Sequence, residues 1–343
     1  MSLIVVSSER FAEHLTPPGH PESPERAEVM DVVADEWRER GGEVVEPCSA
    51  SHQQLARVHA PEHLHRIAET AGVAVALDAD TYTSPDTYDV ALLSAGASVI
   101  GVERVMGSPD TRALAMSRPP GHHAERNRAM GFCVFNNVAV AAAHARTLGA
   151  QRVAIVDYDV HHGNGTQDIF EDDAEVLYLS THQFPYYPGS GAAHEIGRGP
   201  GAGRTVNIPI EVGATDEDYR VVFEQVVSPV IRQFSPDIML VSAGFDAHER
   251  DPLGGMRVTT EGFAAMTAML RQMADEHCAG RIVLVTEGGY DLRALGACLR
   301  AAVGVLAADS CPVVNWPTVS VASSRGVAAA SATKAALTKY WKF

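Results

Sequence analysis

Short runs rich in β-branched residues recur along this chain, each ending in a polar or glycine-rich turn and most followed by a stretch with helical periodicity. Leu3 to Val6, Ala113 to Met116, Arg152 to Val156, Val176 to Ser180, Thr205 to Ile210, Ile238 to Ser242 and Ile282 to Thr286 read as strands. Arg26 to Arg40, Gln54 to Thr70, Ser84 to Met106, Asn136 to Leu148, Asp216 to Phe234, Thr260 to His277 and Leu292 to Leu306 read as helices. Continuously apolar strands are buried on both faces, and strands separated by helices pair in parallel. The rhythm therefore predicts an α/β fold, a parallel sheet with helices on both faces. At 343 residues and 46% apolar content, one large α/β domain or two small ones are allowed.

The polar groups fall where such a sheet binds ligands, beyond the carboxyl ends of its strands. Four strands end in unusual clusters: Ser117 to His123, Asp157 to Gly165, Ala243 to His248 and Glu287 to Asp291. A single pocket that gathers these four tips is the natural reading. In an extended strand, Asp157, Asp159 and His161 point to one side, so metal-competent groups converge there. A lone Asp in this setting is ordinarily a helix cap, but three such groups in alternation before a Gly-rich turn point to a metal. Two carboxylates and an imidazole without cysteine suit a catalytic divalent ion with open positions. Asp159, His161 and Asp246 are the expected ligands, and Asp157 is better placed to orient a neighbouring imidazole or to line a second ion site.

His122 and His123 follow Pro119-Pro120-Gly121, a loop in which proline fixes the backbone and glycine permits close approach. Such a loop is a good mount for acid–base groups, although consecutive histidines also occur as plain surface pairs. Gly288-Gly289 lets the chain turn tightly and places the Tyr290 hydroxyl where an oxyanion would form.

Composition narrows the partners. The chain carries 27 basic and 43 acidic residues, a net charge of −16, and no Lys/Arg-rich segment, so direct nucleic-acid binding is not expected. No apolar run reaches the ~18 residues that span a bilayer, and no membrane association is expected. Met1 to Ser8 reads as a first strand rather than a signal peptide, which makes the cytoplasm the default location. Cys48, Cys133, Cys278, Cys298 and Cys311 form no Cys-x-x-Cys pair and read as reduced, mostly buried thiols.

Together, His20 to Arg26 (His-Pro-Glu-Ser-Pro-Glu-Arg), Arg118-Pro119-Pro120-Gly121-His122-His123, Gly131-Phe132-Cys133, Asn136-Asn137, Asp157-x-Asp159-x-His161-His162-Gly163-Asn164-Gly165-Thr166-Gln167, Pro188 to Gly191, Gly244-Phe245-Asp246 and Glu287-Gly288-Gly289-Tyr290 resemble the zinc-dependent histone deacetylase family. The resemblance covers about residues 1 to 310. Gly163 to Gln167 and Asp251-Pro252-Leu253-Gly254-Gly255 are similar to its class II branch, which includes bacterial deacetylase-like amidohydrolases and acetylpolyamine amidohydrolases.

The resemblance implies a single domain of the arginase/deacetylase type, three-layer α/β/α with a central eight-stranded parallel sheet. It implies one zinc ion held by Asp159, His161 and Asp246 and a hydrolase that releases acetate and a free amine. His123 would be general base and then acid, His122 an electrostatic partner, and Tyr290 the donor to the carbonyl and oxyanion. Potassium near the zinc strand would contact Asp157, Asp159, His161, Ser180 and Thr181, and a second alkali ion would involve Phe170, Asp173 and Val176. Asn164 stands where the class I branch has Asp, and a neutral amide orients His123 without stabilising its cation, which favours the neutral base. Gly131, Phe132, Tyr187 and Leu253 would contact substrate. Arg26 resembles a residue of the channel through which acetate leaves and reads equally as a plain salt bridge.

Leu253 occupies the rim position at which polyamine-selective relatives commonly carry an acidic residue, so an acylated lysine peptide or protein is expected over an acetylated small amine. Acidic residues between 78 and 89 are the feature that could reverse this preference. Two rivals have distinct signatures: a two-manganese ureohydrolase needs further carboxylate ligands, and a silent acyl-binding protein does not need His123 and Tyr290. Val327 to Phe343, Ala-rich with Tyr340, Trp341 and Phe343, is expected to form a short helix that docks on the body or on a second copy in a homo-oligomer.

Overall fold

The computed structural model describes residues 2–108, 111–310, 313–317 and 323–343; Cys311 lies outside them. Eight strands form one sheet: β1 (Ser2–Val6), β2 (Glu43–Val45), β3 (Thr111–Ala115), β4 (Val153–Asp157), β5 (Val176–Gln183), β6 (Thr205–Ile210), β7 (Ile238–Ala243) and β8 (Ile282–Thr286). Every pairing is parallel, in the order β2-β1-β3-β8-β7-β4-β5-β6. The helices are α1 (Glu25–Glu39), α2 (His52–Leu55), α3 (Pro61–Ala68), α4 (Thr87–Gly107), α5 (Asn137–Thr147), α6 (Asn164–Phe170), α7 (Asp216–Val222), α8 (Ser228–Phe234), α9 (Thr260–His277), α10 (Leu292–Ala307) and α11 (Ser324–Leu337).

The two-residue period of the strands divides the interior into two cores. Leu3 and Val5 join α1, α9 and α10 in one, while Ile4 and Val6 join α4 and α5 in the other. These are the three layers expected from the sequence. The order of strands also fixes where the polar tips meet. The clusters of residues 117 to 123, 287 to 291, 243 to 248 and 157 to 165 follow β3, β8, β7 and β4, which are four adjacent strands in the middle of the sheet.

Several expected boundaries shift for physical reasons. The stretch 54 to 70 is two helices, because Ser51 and Gln54 form a capping box that starts α2 and extended backbone at Ala60 precedes Pro61 at the start of α3. The helix over 216 to 234 holds a π-helical turn at Phe223–Val227, just before Pro229, whose missing N–H interrupts the regular ladder. Strand β2, half-exposed and three residues long, carries no period that sequence could reveal. The 21-residue α4 is long and apolar enough to match a membrane span, contrary to the expectation that no segment would be, but 67% of its apolar window is buried within the protein. Cys133, Cys278 and Cys298 are buried thiols, and Cys48 is exposed.

Residues 324 to 343 pack on the same chain. Helix α11 lies against α7 and the edge strand β6, and the Thr333 hydroxyl donates to the Asn207 carbonyl (2.8 Å), so the helix covers an otherwise open edge. Trp341 is buried rather than exposed: its indole N–H donates to the Gly203 carbonyl (2.8 Å), and the Arg204 guanidinium stacks over its ring at 5.2 Å. Trp341→Ala is expected to cost about 3 kcal/mol, lowering Tm by roughly 4 °C for a chain of this size, as read by calorimetry.

Candidate active site

The site begins where β4 ends. The strand stops at Asp157, so Asp157, Asp159 and His161 are not three consecutive inward positions of one strand; beyond Asp157 each carboxylate turns to cap the backbone two residues on. Asp157 Oδ1 accepts from the Asp159 N–H (3.1 Å), and Asp159 Oδ1 accepts from the His161 N–H (2.9 Å). This winding turns Asp157 away from its neighbours, toward His122 Nδ1 (3.0 Å) and the Tyr178 hydroxyl (3.1 Å). Asp159 and His161 instead meet Asp246 from the tip of β7. Ligating atoms of Asp159, His161 and Asp246 all lie within 4.8 Å of one another.

These three residues fit a metal by the chemistry of their donors. His161 Nδ1 points between Asp159 Oδ1 (3.1 Å) and Asp246 Oδ2 (3.2 Å), so two carboxylates and a ring nitrogen face one point, which either a proton on that nitrogen or a metal cation can occupy. Burial opposes charge on the His161 imidazole, yet the hydrogen bonds and charges of Asp159 and Asp246 outweigh it and lift its pKa to about 10. Burial and then the neighbouring Asp159 charge push Asp246 up to about 7. The other carboxylate oxygens are held by main-chain N–H groups, Val160 on Asp246 and Gly288 on Asp159, both at 2.8 Å. A Cβ at Gly288 would run into the Asp246 carboxylate, so only glycine closes this approach.

The two histidines from the tip of β3 stand side by side, with ring centroids 4.1 Å apart, in opposite electrostatic settings. Burial disfavours a charged His122, but Asp159, Asp157 and Glu287 overcome it and hold the ring well above its ordinary pKa. His123 is driven well below its ordinary value by burial and then by the positive His122 and His161. Asn164 Oδ1 receives the His123 Nδ1 proton at 2.8 Å, and the Asn164 amide nitrogen donates to Glu125 Oε1 at 2.8 Å. The surroundings thus favour charge on His122 and a neutral His123 whose Nδ1 faces Asn164.

Tyr290 completes the pocket. Burial pushes its hydroxyl well above the usual range, so it stays protonated as a donor. Its ring packs at right angles to Phe132 (5.8 Å), while Tyr187 contacts the His123 and His161 rings at 5.1 and 5.9 Å. Phe132 adopts φ 68°, which is left-handed and strained for a bulky residue, and its N–H donates to the Thr81 hydroxyl (3.0 Å). Gly131 precedes it at φ 58°, and a Cβ there would come within 2.5 Å of the His123 ring. Leu253 is half-buried nearby, its carbonyl accepting from the Tyr186 hydroxyl (3.1 Å).

Arg26 approaches the site from α1. Fully buried, it pairs with Glu22 (2.8 Å), donates to the Gly289 (2.8 Å) and Glu287 carbonyls, and places its guanidinium 5.0 Å from the centre of the Tyr290 ring. These contacts form a salt bridge and support the Tyr290 turn. Ser180 lies beside Asp157 by strand register, and the Thr181 hydroxyl donates to the Asp157 carbonyl (3.4 Å). Phe170, Asp173 and Val176 are not gathered with these groups. Val176 starts β5 at the far end of the sheet, and Asp173 is paired with Arg146 (2.6 Å).

Three further residues of the site carry no role in the sequence reading. Glu287 accepts from the N–H groups of Gly121 (2.6 Å) and His122 (3.1 Å) and from the Ser242 hydroxyl (3.1 Å), tying three tips together. Asp251 accepts from the Tyr290 N–H (2.6 Å) and fixes that turn. Tyr186 stacks on His161 at 5.6 Å. Their signals were a carboxylate at a strand end, a carboxylate before proline, and a second aromatic beside Tyr187 between prolines.

Residues 20–306 match the model of the histone deacetylase domain. The chain is 39% identical over 307 residues to a probable deacetylase of Archaeoglobus fulgidus, covering 89% of this chain and 85% of the other. It is 40% identical over 281 residues to a histone deacetylase-like amidohydrolase of Pseudomonas aeruginosa, covering 79% and 73%. Against the human polyamine deacetylase HDAC10 it is 38% identical over 337 residues, 93% of this chain but 49% of that protein. The crystal structure of the HDA15 HD domain superposes with a TM-score of 0.90 at 36% identity, covering 98% of this chain and 96% of that one.

Zinc added at about 100 times its dissociation constant should stabilise the metal-stripped protein by about 2.7 kcal/mol, seen as a rise in Tm. Asp246→Asn should abolish that rise and the zinc content measured by elemental analysis.

Proposed function

Because the chain belongs to the histone deacetylase family, we propose that the acetyl amides it hydrolyses are those of acylated lysine side chains, with zinc as its metal. The observation that carries the reading is the geometry in which His122 rests on the Asp157 carboxylate and His123 on the Asn164 amide, beside a metal-competent triad and with Tyr290 packed on Phe132. A zinc ion held by Asp159, His161 and Asp246 would supply Lewis acidity toward the acyl oxygen and toward water. His123 Nε2 then takes the proton of the attacking water and returns it to the leaving amine, since Asn164 keeps Nδ1 occupied. His122, held by Asp157, remains a cation and favours negative charge at the reacting carbon's oxygen. The Tyr290 hydroxyl donates to that oxygen as it becomes an oxyanion. Acetate and a primary amine leave.

The same proposal places potassium among Asp157, Asp159, His161, Ser180 and Thr181, where oxygen donors suit a hard cation. A second alkali ion at Phe170, Asp173 and Val176 would rely mainly on backbone carbonyls, given the Asp173–Arg146 pair. A cytoplasmic location belongs to the proposal too.

Phe132 and Tyr187 would grip the aliphatic stem of the substrate, and Leu253 offers no partner to a distant ammonium. A specific observation favours acetylated polyamines as a second class. The turn that receives the Phe132 N–H also carries Asp78 and Asp80, and after burial Asp80, then Cys133 and Asp78, push the Tyr187 hydroxyl upward. These carboxylates lie near the wall of the pocket, where an ammonium would be attracted.

Tyr290→Phe should retain zinc while kcat falls by about 10²–10³, and His123→Ala should lose at least as much. With the His123 pKa lowered, the ring stays neutral as pH falls through 6.5, so the acid limb of kcat/KM should lie below that value. Near-normal rates in both variants on an acetyl-lysine peptide would overturn the assignment.

At physiological salt, kcat/KM should be higher for an acetyl-lysine peptide than for acetylputrescine, and Leu253→Glu should move the ratio toward acetylputrescine. An advantage for acetylputrescine in the unmodified protein would instead give priority to the acidic turn at 78 to 80.

A further inference from the structure

We infer that Glu125 is a positioning residue of the hydrolysis, fixing which way the Asn164 amide faces and, through it, which nitrogen of His123 carries the proton. The inference rests on the reading of His123 as general base and extends it one residue outward.

An asparagine side chain presents a donor and an acceptor of nearly equal size, so its orientation is set by its neighbours. At Asn164 the two ends face different partners. One end lies 2.8 Å from His123 Nδ1, a nitrogen that can donate or accept according to tautomer, and so by itself decides nothing. The other lies 2.8 Å from Glu125 Oε1 and 3.4 Å from Met130 Sδ, both acceptors. A carboxylate beside Arg128 Nη2 (2.9 Å) has no proton to give, so the Asn164 NH₂ must face Glu125. The amide oxygen is then left facing His123, which must carry its proton on Nδ1 and keep the Nε2 lone pair for water. With Asn164 reversed, its NH₂ would meet Nδ1, the proton would move to Nε2, and the base would be blocked.

Glu125 is placed to hold this setting. Its N–H donates to the Arg128 carbonyl (2.9 Å), closing a turn, and its carbonyl accepts from buried His59 Nδ1 (3.1 Å), so its backbone is anchored from inside while its carboxylate stays at the protein surface. An aspartate at 164 would need no such guard, because its two oxygens are equivalent and both accept.

The test uses the zinc-loaded protein and an acetyl-lysine peptide. Glu125→Ala should lower kcat/KM about tenfold through kcat, with KM nearly unchanged. Glu125→Gln should recover much of the loss, because its amide oxygen can accept from Asn164. In an Asn164→Asp background, Glu125→Ala should cost less than about twofold or raise the rate by removing a like charge. The ¹⁵N spectrum of histidine-labelled protein should show neutral His123 protonated on Nδ1 in the unmodified chain and as a mixture of the Nδ1–H and Nε2–H tautomers in Glu125→Ala. An equal loss in both backgrounds, an unaffected rate in Glu125→Ala, or a rate loss with the tautomer unchanged overturns the inference. His123→Ala separates the two levels: an inactive His123→Ala leaves the general-base reading standing in each of those cases, whereas an active one removes both.

Discussion

Four carboxylates, Asp157, Asp159, Asp246 and Glu287, are buried together at the ends of adjoining strands, and the rest of the site is arranged to make that possible. Like charges in a dry interior are expensive unless each finds a cation or a donor. Here the donors are mostly main-chain N–H groups released where the strands stop: Asp159, Val160, His161, Gly121, His122 and Gly288. A backbone that serves side chains in this way cannot continue as sheet. It winds into turns, and those turns carry the glycines, prolines and histidines that give the sequence its motifs.

The same concentration of charge separates the two histidines. His122 rests on Asp157 and faces Asp159 at 3.7 Å, so the carboxylates sustain its positive charge. His123 turns the other way, toward an amide, and the positive ring beside it discourages a second cation. Adjacency in the chain would suggest equivalence, and the field makes them an acid-like and a base-like partner.

The sheet and the triad were legible in the sequence because both depend on periodic or strand-end positions. Helix α9 and strand β8 begin and end at the residues the pattern indicated, and hydrogen bonds join the four polar tips: Gly121 to Glu287, His122 to Asp157, Gly288 to Asp159 and Val160 to Asp246. What escaped depends on the direction of side chains in turns, for which there is no period. Asp157 was read as a group that orients a neighbouring imidazole, and it meets His122, but from a strand end that turns aside rather than from the inward face shared with Asp159. Glu125, Asp251 and Tyr186 read as ordinary loop residues until their partners, 39, 39 and 67 positions away in sequence, come beside them. The docking of the C-terminal segment was legible from its aromatics, but its target was not, because nothing local to Trp341 announces the Gly203 carbonyl that receives its indole N–H.

The position of β8 in the sheet has a bearing on how the chain is made. It is the last strand in sequence but lies fourth in the sheet, between β3 and β7, and it carries Glu287 and Tyr290 at its tip. Until it emerges from the ribosome, β3 and β7 each keep an unpaired inner edge, and the Asp159 carboxylate beyond β4 lacks the Gly288 N–H. A nascent chain is thus both sticky and inert for most of its synthesis. Closure of the sheet and completion of the pocket both await β8, so a product that stops before residue 282 lacks both the strand that covers those edges and Tyr290.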